Sequence, residues 1–250
     1  MTVPGAQRVL VTGGGTGIGR AVALSVVAGG GRVVAVGRRP EPLRQLAQLT
    51  GGRVLPMPAD LRVPEQRDGL LAAAGQAMAG LDGLVHCAGV VRHEPPGAIS
   101  EASLREQLEV NLVAPLRLGE QALAELEDGG AVVMITSSLG SRPVLTSAVY
   151  AAANAGLTQV VKVLALAGAA RGIRVNSVSP GIVDTDMVRG RFPATDTEAV
   201  RSGLDALRAL HPLGRLGQPD DVAAAVLHLL TAPWTTGTEL LVDGGLLARE

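Results

Sequence analysis

The chain has 250 residues, 47% of them hydrophobic and 18% charged, the proportions of one ordinary globular domain. A net charge of −1 gives no general attraction to nucleic acid or to an anionic membrane, and no apolar run is expected to reach the roughly 18 residues that span a bilayer. The start, MTVPGAQR, lacks the basic and apolar regions of a signal peptide, and the single cysteine, Cys87, excludes an intrachain disulfide, so a cytoplasmic protein is expected.

Short β-branched runs alternate with longer Ala/Leu-rich segments. In order, the chain predicts a strand at RVLVT (8–12), a helix near 17–29, a strand at RVVAV (32–36), a helix near 40–50 and a strand at RVLPM (53–57). A helix near 64–79, the strand GLVHC (83–87), a long helical stretch at 101–127 and the strand AVVMI (131–135) follow. The last elements are a helix at 147–171, the strand IRVNSV (173–178), a helix at 219–231 and the strand ELLVD (239–243). Apolar strands separated by helices predict a parallel sheet covered on both faces. Right-handed crossovers make it an α/β, doubly wound, Rossmann-type fold with ligand sites at the carboxyl ends of the strands. No linker or repeat divides residues 1–250, which read as one domain. The least regular part, 184–217, reads as loop and short helices and is the expected substrate lid.

The first strand runs into TGGGTGIG (12–19). Gly13, Gly17 and Gly19 allow a tight turn, close approach of a pyrophosphate and tight helix packing, with the helix N-terminus facing the phosphates. The second strand ends in VGRRPEP, where a ribose 2′-hydroxyl would meet an acid and a 2′-phosphate a cation. Gly37 leaves room, and Arg38 and Arg39 suit phosphate, so NADP(H) is favoured over NAD(H); a solvated basic turn is the other reading. Asp60 is placed either to hold the adenine amino group or to cap a helix.

These motifs, with the Asp60-Leu61 pair, HCAG (86–89), Asn111, TSSLG (136–140), Tyr150, PGIVDTDM (180–187) and the PLGRLGQPDDVAAAVLHLL and TGTELLVDGG segments, resemble the short-chain dehydrogenase/reductase (SDR) family over essentially the whole length. The resemblance implies nucleotide contacts from Gly13, Gly15, Thr16, Gly17, Ile18, Gly19, Arg38, Arg39, Asp60, Leu61, Cys87, Ala88, Gly89, Pro180, Gly181, Val183 and Thr185, and from Tyr150 and Asn154. It implies that Tyr150 exchanges the proton while hydride moves to or from a carbonyl carbon. Ser137, or less readily Ser138, binds the substrate oxygen, and Asn111 anchors a relay water. Homo-oligomers, dimers or tetramers, are also implied; no metal is.

Two positions depart from the family pattern. A lysine normally stands four residues after the tyrosine, where YAAANAG has Asn154; Cys87 stands at the usual Asn of Asn-Ala-Gly and reads as a buried small residue rather than a reactive thiol. A neutral amide supplies no Coulomb pull on a phenol of ordinary pKa near 10. Lys162, the one lysine, lies twelve residues beyond Tyr150, about 18 Å along a helix. Three functions therefore stay open: an NADP-dependent carbonyl reductase or alcohol dehydrogenase with altered proton delivery, a non-redox enzyme (dehydration, isomerisation or cyclisation) using Tyr150 and Ser137, and a catalytically silent subunit. Val144 within PVL (143–145), Met187 and Phe192 are the expected apolar substrate contacts. Of the histidines, His93 is the one expected near substrate, with a solvated loop position as the alternative.

Overall fold

The protein, described by a computed structural model, is resolved here at residues 7–192, 195 and 197–249. Most of the amino-terminal stretch read above for targeting signals (1–6), and residues 193, 194 and 196 of the expected lid, lie outside the described residues. Seven parallel strands form one sheet: β1 (Arg8–Thr12), β2 (Arg32–Gly37), β3 (Val54–Pro58), β4 (Gly83–His86), β5 (Ala131–Ile135), β6 (Arg174–Pro180) and β7 (Glu239–Val242). Their spatial order is β3-β2-β1-β4-β5-β6-β7, so the order reverses between β1 and β4 and opens a crevice above that junction.

Successive residues of a strand point to opposite faces, and here both faces are apolar. On one side Val9, Val11, Val33 and Ala35 pack with α1 (Gly17–Ala28), α2 (Pro40–Leu49) and the last long helix. On the other, Leu10, Val34, Leu84, Val132 and Met134 pack with the helices that follow β3, β4 and β5. The outer strand β3 carries Pro56 and Pro58, which cost no ladder bonds at an edge and blunt it against further pairing.

The expected 64–79 helix is two pieces, α3 (Pro64–Arg67) and α4 (Leu70–Met78), parted at Asp68–Gly69. The 101–127 stretch is α5 (Glu101–Leu108) and α6 (Ala114–Glu125), joined without a break by one wide π-type turn, Glu109–Val113. Such turns concentrate at functional sites, and this one contains Asn111. Next comes α7 (Ala148–Gly168), carrying Tyr150 and Asn154. The region 184–217 holds α8 (Asp186–Arg189) and a 12-residue α9 (Thr197–Arg208), more helix than its composition suggested. Last is α10 (Pro219–Thr231), opened by a capping box between Gln218 and Asp221.

One expectation is corrected. The segment Ala148–Arg171 is long and apolar enough, at mean hydropathy 1.3, to pass for a membrane span by length and composition. Its Asn, Thr, Gln and Lys break every apolar run but do not lower the average enough to exclude it. One face of the helix nevertheless packs into the core of the α/β domain, with Ala153, Leu157, Val161 and Leu164 buried beside the sheet and α6.

Candidate active site

Two cavities meet above the strand crossing. The first is lined by Gly13, Gly15, Thr16, Gly17, Gly19, Arg38, Arg39, Asp60 and Leu61. The second, of about 270 Å³, is lined by Asn111, Ser137, Tyr150, Asn154, Pro180, Gly181 and Val183. Ile18, Cys87, Ala88, Gly89, Thr185 and Met187 line both, which makes them one cleft.

The first cavity fits a dinucleotide on its own geometry. Helix α1 has no side-chain cap at Thr16 and no acidic residue in its first turn, so its amino-terminal N–H groups are left for an anion. A Cβ on Gly19 would stand 2.3 Å from the carbonyl oxygen of Gly13, itself at φ +66°, so this backbone curl exists only with glycine. Neither Arg38 nor Arg39 pairs with a carboxylate among the described residues. Asp60 does not cap α3, whose cap is Val63; its carboxylate takes Arg62 Nη2 at 2.6 Å and Nε at 3.0 Å, and those bonds hold its pKa below the usual carboxylate range. Its oxygens are therefore largely occupied before any adenine approaches.

In the second cavity Tyr150 and Asn154 share a face of α7, four residues apart. Asn154 is 3% exposed and its Nδ2 donates to the Tyr150 carbonyl at 2.8 Å. Burial is the largest influence on the Tyr150 phenol and raises its pKa. The Ser137 hydroxyl, the Asn154 amide and the charge of Arg191 act in the opposite sense without overcoming it. Ser137, at the carboxyl end of β5, accepts from Leu139 N at 3.2 Å, while its neighbour Ser138 is buried. Behind the helix, Glu239 on β7 accepts from Thr136 Oγ1 at 3.0 Å, and Thr158 Oγ1 lies 3.2 Å from both Glu239 and the Asn154 carbonyl. The strand end and helix α7 are thereby tied to one carboxylate.

Asn111 sits in the π-type turn and binds the loop after β4 reciprocally: Val90 N donates to its Oδ1 at 2.9 Å, and its Nδ2 donates to Val90 O at 2.7 Å. Its side chain is thus committed to the loop. One and two turns earlier on α5, Gln107 Oε1 accepts from Arg92 N at 3.1 Å and Ser103 donates to Glu94. The wall of the cavity is laced to α5 and the π-type turn by these three polar side chains.

The structure also brings in residues that the motif reading missed. His86, 1% exposed at the end of β4, lines the second cavity. Thr12 Oγ1 accepts from Cys87 N and Ala88 N, each at 3.2 Å, so its hydrogen goes to His86 Nδ1 at 3.0 Å. This bonding assigns the neutral Nε2–H tautomer. Nε2 is buried with no hydrogen-bond partner among the described residues, and burial holds the pKa down to about 4 against the opposing pull of the Ala88 and Val110 backbone. Arg142 and Arg191 also line this cavity. The signal in the sequence was only their nearness to the SSLG and DTDM motifs.

Other expected contacts fall elsewhere. Phe192 does not line the cavity; its ring lies against Gly203 and joins Ile182, Val188, Leu204 and Leu216 in a small apolar cluster. Of PVL, only Val144 lines the cavity, whereas Met187 does as expected. His93 is exposed, bonds Ser147 Oγ at 3.2 Å and is absent from the lining, in keeping with a loop histidine. Burial pushes the Cys87 thiol far up, which makes it an inert wall.

Fold and cleft together define a dinucleotide-binding α/β protein. The chain matches the family described as Enoyl-(Acyl carrier protein) reductase over residues 13–247. It is 35% identical over 239 residues to carbonyl reductase family member 4 of Danio rerio, covering 95% of this chain and 96% of that one. To D-erythrulose reductase of Gallus gallus it is 32% identical over 246 residues, 96% of each chain. Ligand-free aldohexose dehydrogenase of Thermoplasma acidophilum superposes with a TM-score of 0.89 at 26% identity, over 98% of this chain and 95% of that one. The chain belongs to the short-chain dehydrogenase/reductase family, whose members use nicotinamide dinucleotides.

Proposed function

We propose that the protein is an NADP(H)-dependent reductase or dehydrogenase of a small carbonyl or alcohol, with Asn154 standing where the family carries its lysine. The observation that carries this reading is the single cleft joining an uncapped helix N-terminus and two arginines without a carboxylate partner among the described residues to Tyr150, Ser137 and Asn154. The carbonyl and erythrulose reductases among its relatives support the reaction class.

In this reading Arg38 and Arg39 hold the 2′-phosphate, the α1 N-terminus holds the pyrophosphate, and the Asn154 amide donates to ribose hydroxyls. The bound nicotinamide supplies or accepts the hydride. Ser137 Oγ hydrogen-bonds the substrate oxygen, and Tyr150 Oη delivers the proton to it. Because burial raises the phenol's pKa, Tyr150 stays protonated through neutral pH and serves as the acid of carbonyl reduction. Alcohol oxidation, which needs the phenolate, should rise only toward alkaline pH. The segment 184–217, with its own apolar cluster, acts as the lid. It is hinged where His211 accepts from Ile182 N at 3.2 Å and bonds Leu207 O at 3.0 Å. Hydrogen exchange in that segment should slow on ligand binding. Exposed Val163 and Leu166 on α7 support assembly into a dimer or tetramer, which light scattering would count.

The test is NADPH consumption on a carbonyl panel across pH. Asn154→Lys should raise turnover at least about tenfold and move the optimum toward neutrality, because a cation beside the phenol lowers its pKa. Adding Tyr150→Phe should remove the gain. No gain from the lysine, with NADPH binding confirmed by calorimetry, sinks this reading.

A further inference from the structure

Many arginines in this chain meet a carboxylate: Arg62 takes Asp60, Arg67 takes Glu109 and Arg215 takes Asp221, each at 2.6 Å. Arg142 and Arg191 are exceptions. Neither side chain has an ion pair or a hydrogen bond among the described residues, and both line the catalytic cavity. Among the described residues, no aspartate or glutamate lines that cavity. The two cations come from separate segments, the loop after β5 and the turn after α8, so their convergence is a property of the fold rather than of one basic stretch.

Arg191 is exposed at the cavity mouth, yet partial burial of its guanidinium still disfavours its charge, and its field reaches both Tyr150 and His93. A cation without a partner that has given up part of its hydration gains from an incoming anion. Apolar side chains, including Val91, Leu139, Val144, Met187 and Leu210, make up much of the remaining wall. Apolar walls with a few convergent polar groups describe a site for a compact organic molecule whose charged end is fixed.

We propose that the substrate carries a terminal oxyanion, a carboxylate or a phosphate, which Arg191 holds with help from Arg142 while the reacting oxygen lies at Tyr150 and Ser137. Guanidinium forks match either oxyanion bidentately. The carbonyl compound is then an anionic oxo compound with a short aliphatic body between its two polar ends. This assignment rests on the reductase reading for its reacting oxygen, but not for its anion site.

The experiment uses the full chain with NADPH and three matched sets: oxo-carboxylates, their methyl esters, and phosphorylated hydroxyketones. One of the two anionic sets should show KM at least about tenfold below the esters, and which set does so distinguishes carboxylate from phosphate. Arg191→Gln should collapse the ratio of ester KM to anion KM, and Arg142→Gln should reduce it less. Arg191→Lys, which keeps the charge but loses the fork, should fall between. Equal KM for anions and esters, or a ratio that Arg191→Gln leaves intact in a variant with unchanged thermal midpoint, overturns the proposal. If no set is turned over, the reductase reading fails separately. Calorimetric titration of the same anions into wild type and Arg191→Gln then decides: binding that depends on the arginine upholds the anion site, and its absence removes it.

Discussion

The two halves of the cleft are built from different materials. The nucleotide half is made of backbone: the glycine curl at 13–19, the bare N–H groups of α1 and the ends of β1 and β2. The half proposed to be catalytic is made of side chains drawn from β4, the π-type turn, β5, α7 and the segment after β6. A backbone site fails when volume is added. A side-chain site fails when charge or a proton changes.

The largest effect expected from that difference is on acid stability, and it belongs to the catalytic half. His86 has a folded pKa of about 4 against an ordinary value near 6.5, so the folded state binds fewer protons than the unfolded one between those values. Stability present above pH 6.5 is therefore lost as pH falls toward 4, by about 3 kcal/mol over the window. His93 shifts in the same direction, through burial and then Arg191, and adds to the slope. Denaturant titrations of wild type and His86→Asn between pH 7 and 4 check this. Equal slopes would mean that His86 does not stay neutral in the folded chain.

For the nucleotide half the corresponding change is Gly19→Ala. The added methyl meets the Gly13 carbonyl oxygen, and overpacking of this kind costs about 1–3 kcal/mol. Thermal midpoint and dinucleotide affinity should fall together, with no new dependence on pH. A variant that binds NADPH normally would show that the curl tolerates volume and would erase the contrast between the halves.

The smallest effect sharpens the comparison within the nucleotide half, where side chains do enter. Arg38→Ala should weaken NADP(H) about tenfold and leave NAD(H) nearly unchanged, as expected for loss of one charge-assisted contact. Titration of both nucleotides reads it, and equal losses would take Arg38 away from the 2′-phosphate.

The same division explains what could be read before the fold was known. Strand and helix order follows from β-branched runs that feed two apolar cores, and the turn at 12–19 follows from backbone needs that only glycine meets. Contacts between distant side chains leave no such local mark. His86 looked like an ordinary strand residue, because its role depends on Thr12 delivering a hydrogen across the neighbouring strand. Arg142 and Arg191 lie 49 residues apart in numbering and become a pair only when β5 and β6 are neighbours. Phe192 was misplaced because an aromatic beside the DTDM motif reads as a pocket wall, whereas Gly203 on α9 offers its ring a tighter seat. The π-type turn inside 101–127 was invisible because it needs no proline or glycine.

The polar lacing on α5 has a consequence for chain length. Ser103, Gln107 and Asn111 recur every four residues, a spacing of about 6 Å along a helix. Their partners at 94, 92 and 90 recur every two, about 6.6 Å in an extended chain. Two rulers with different divisions therefore agree over three marks. One residue inserted among 90–94 would turn the wrong backbone and side-chain groups toward the helix, and one inserted among 103–107 would carry Ser103 off its face. Neither segment can change length alone, so the length of the loop after β4 is set by the helix it lies against.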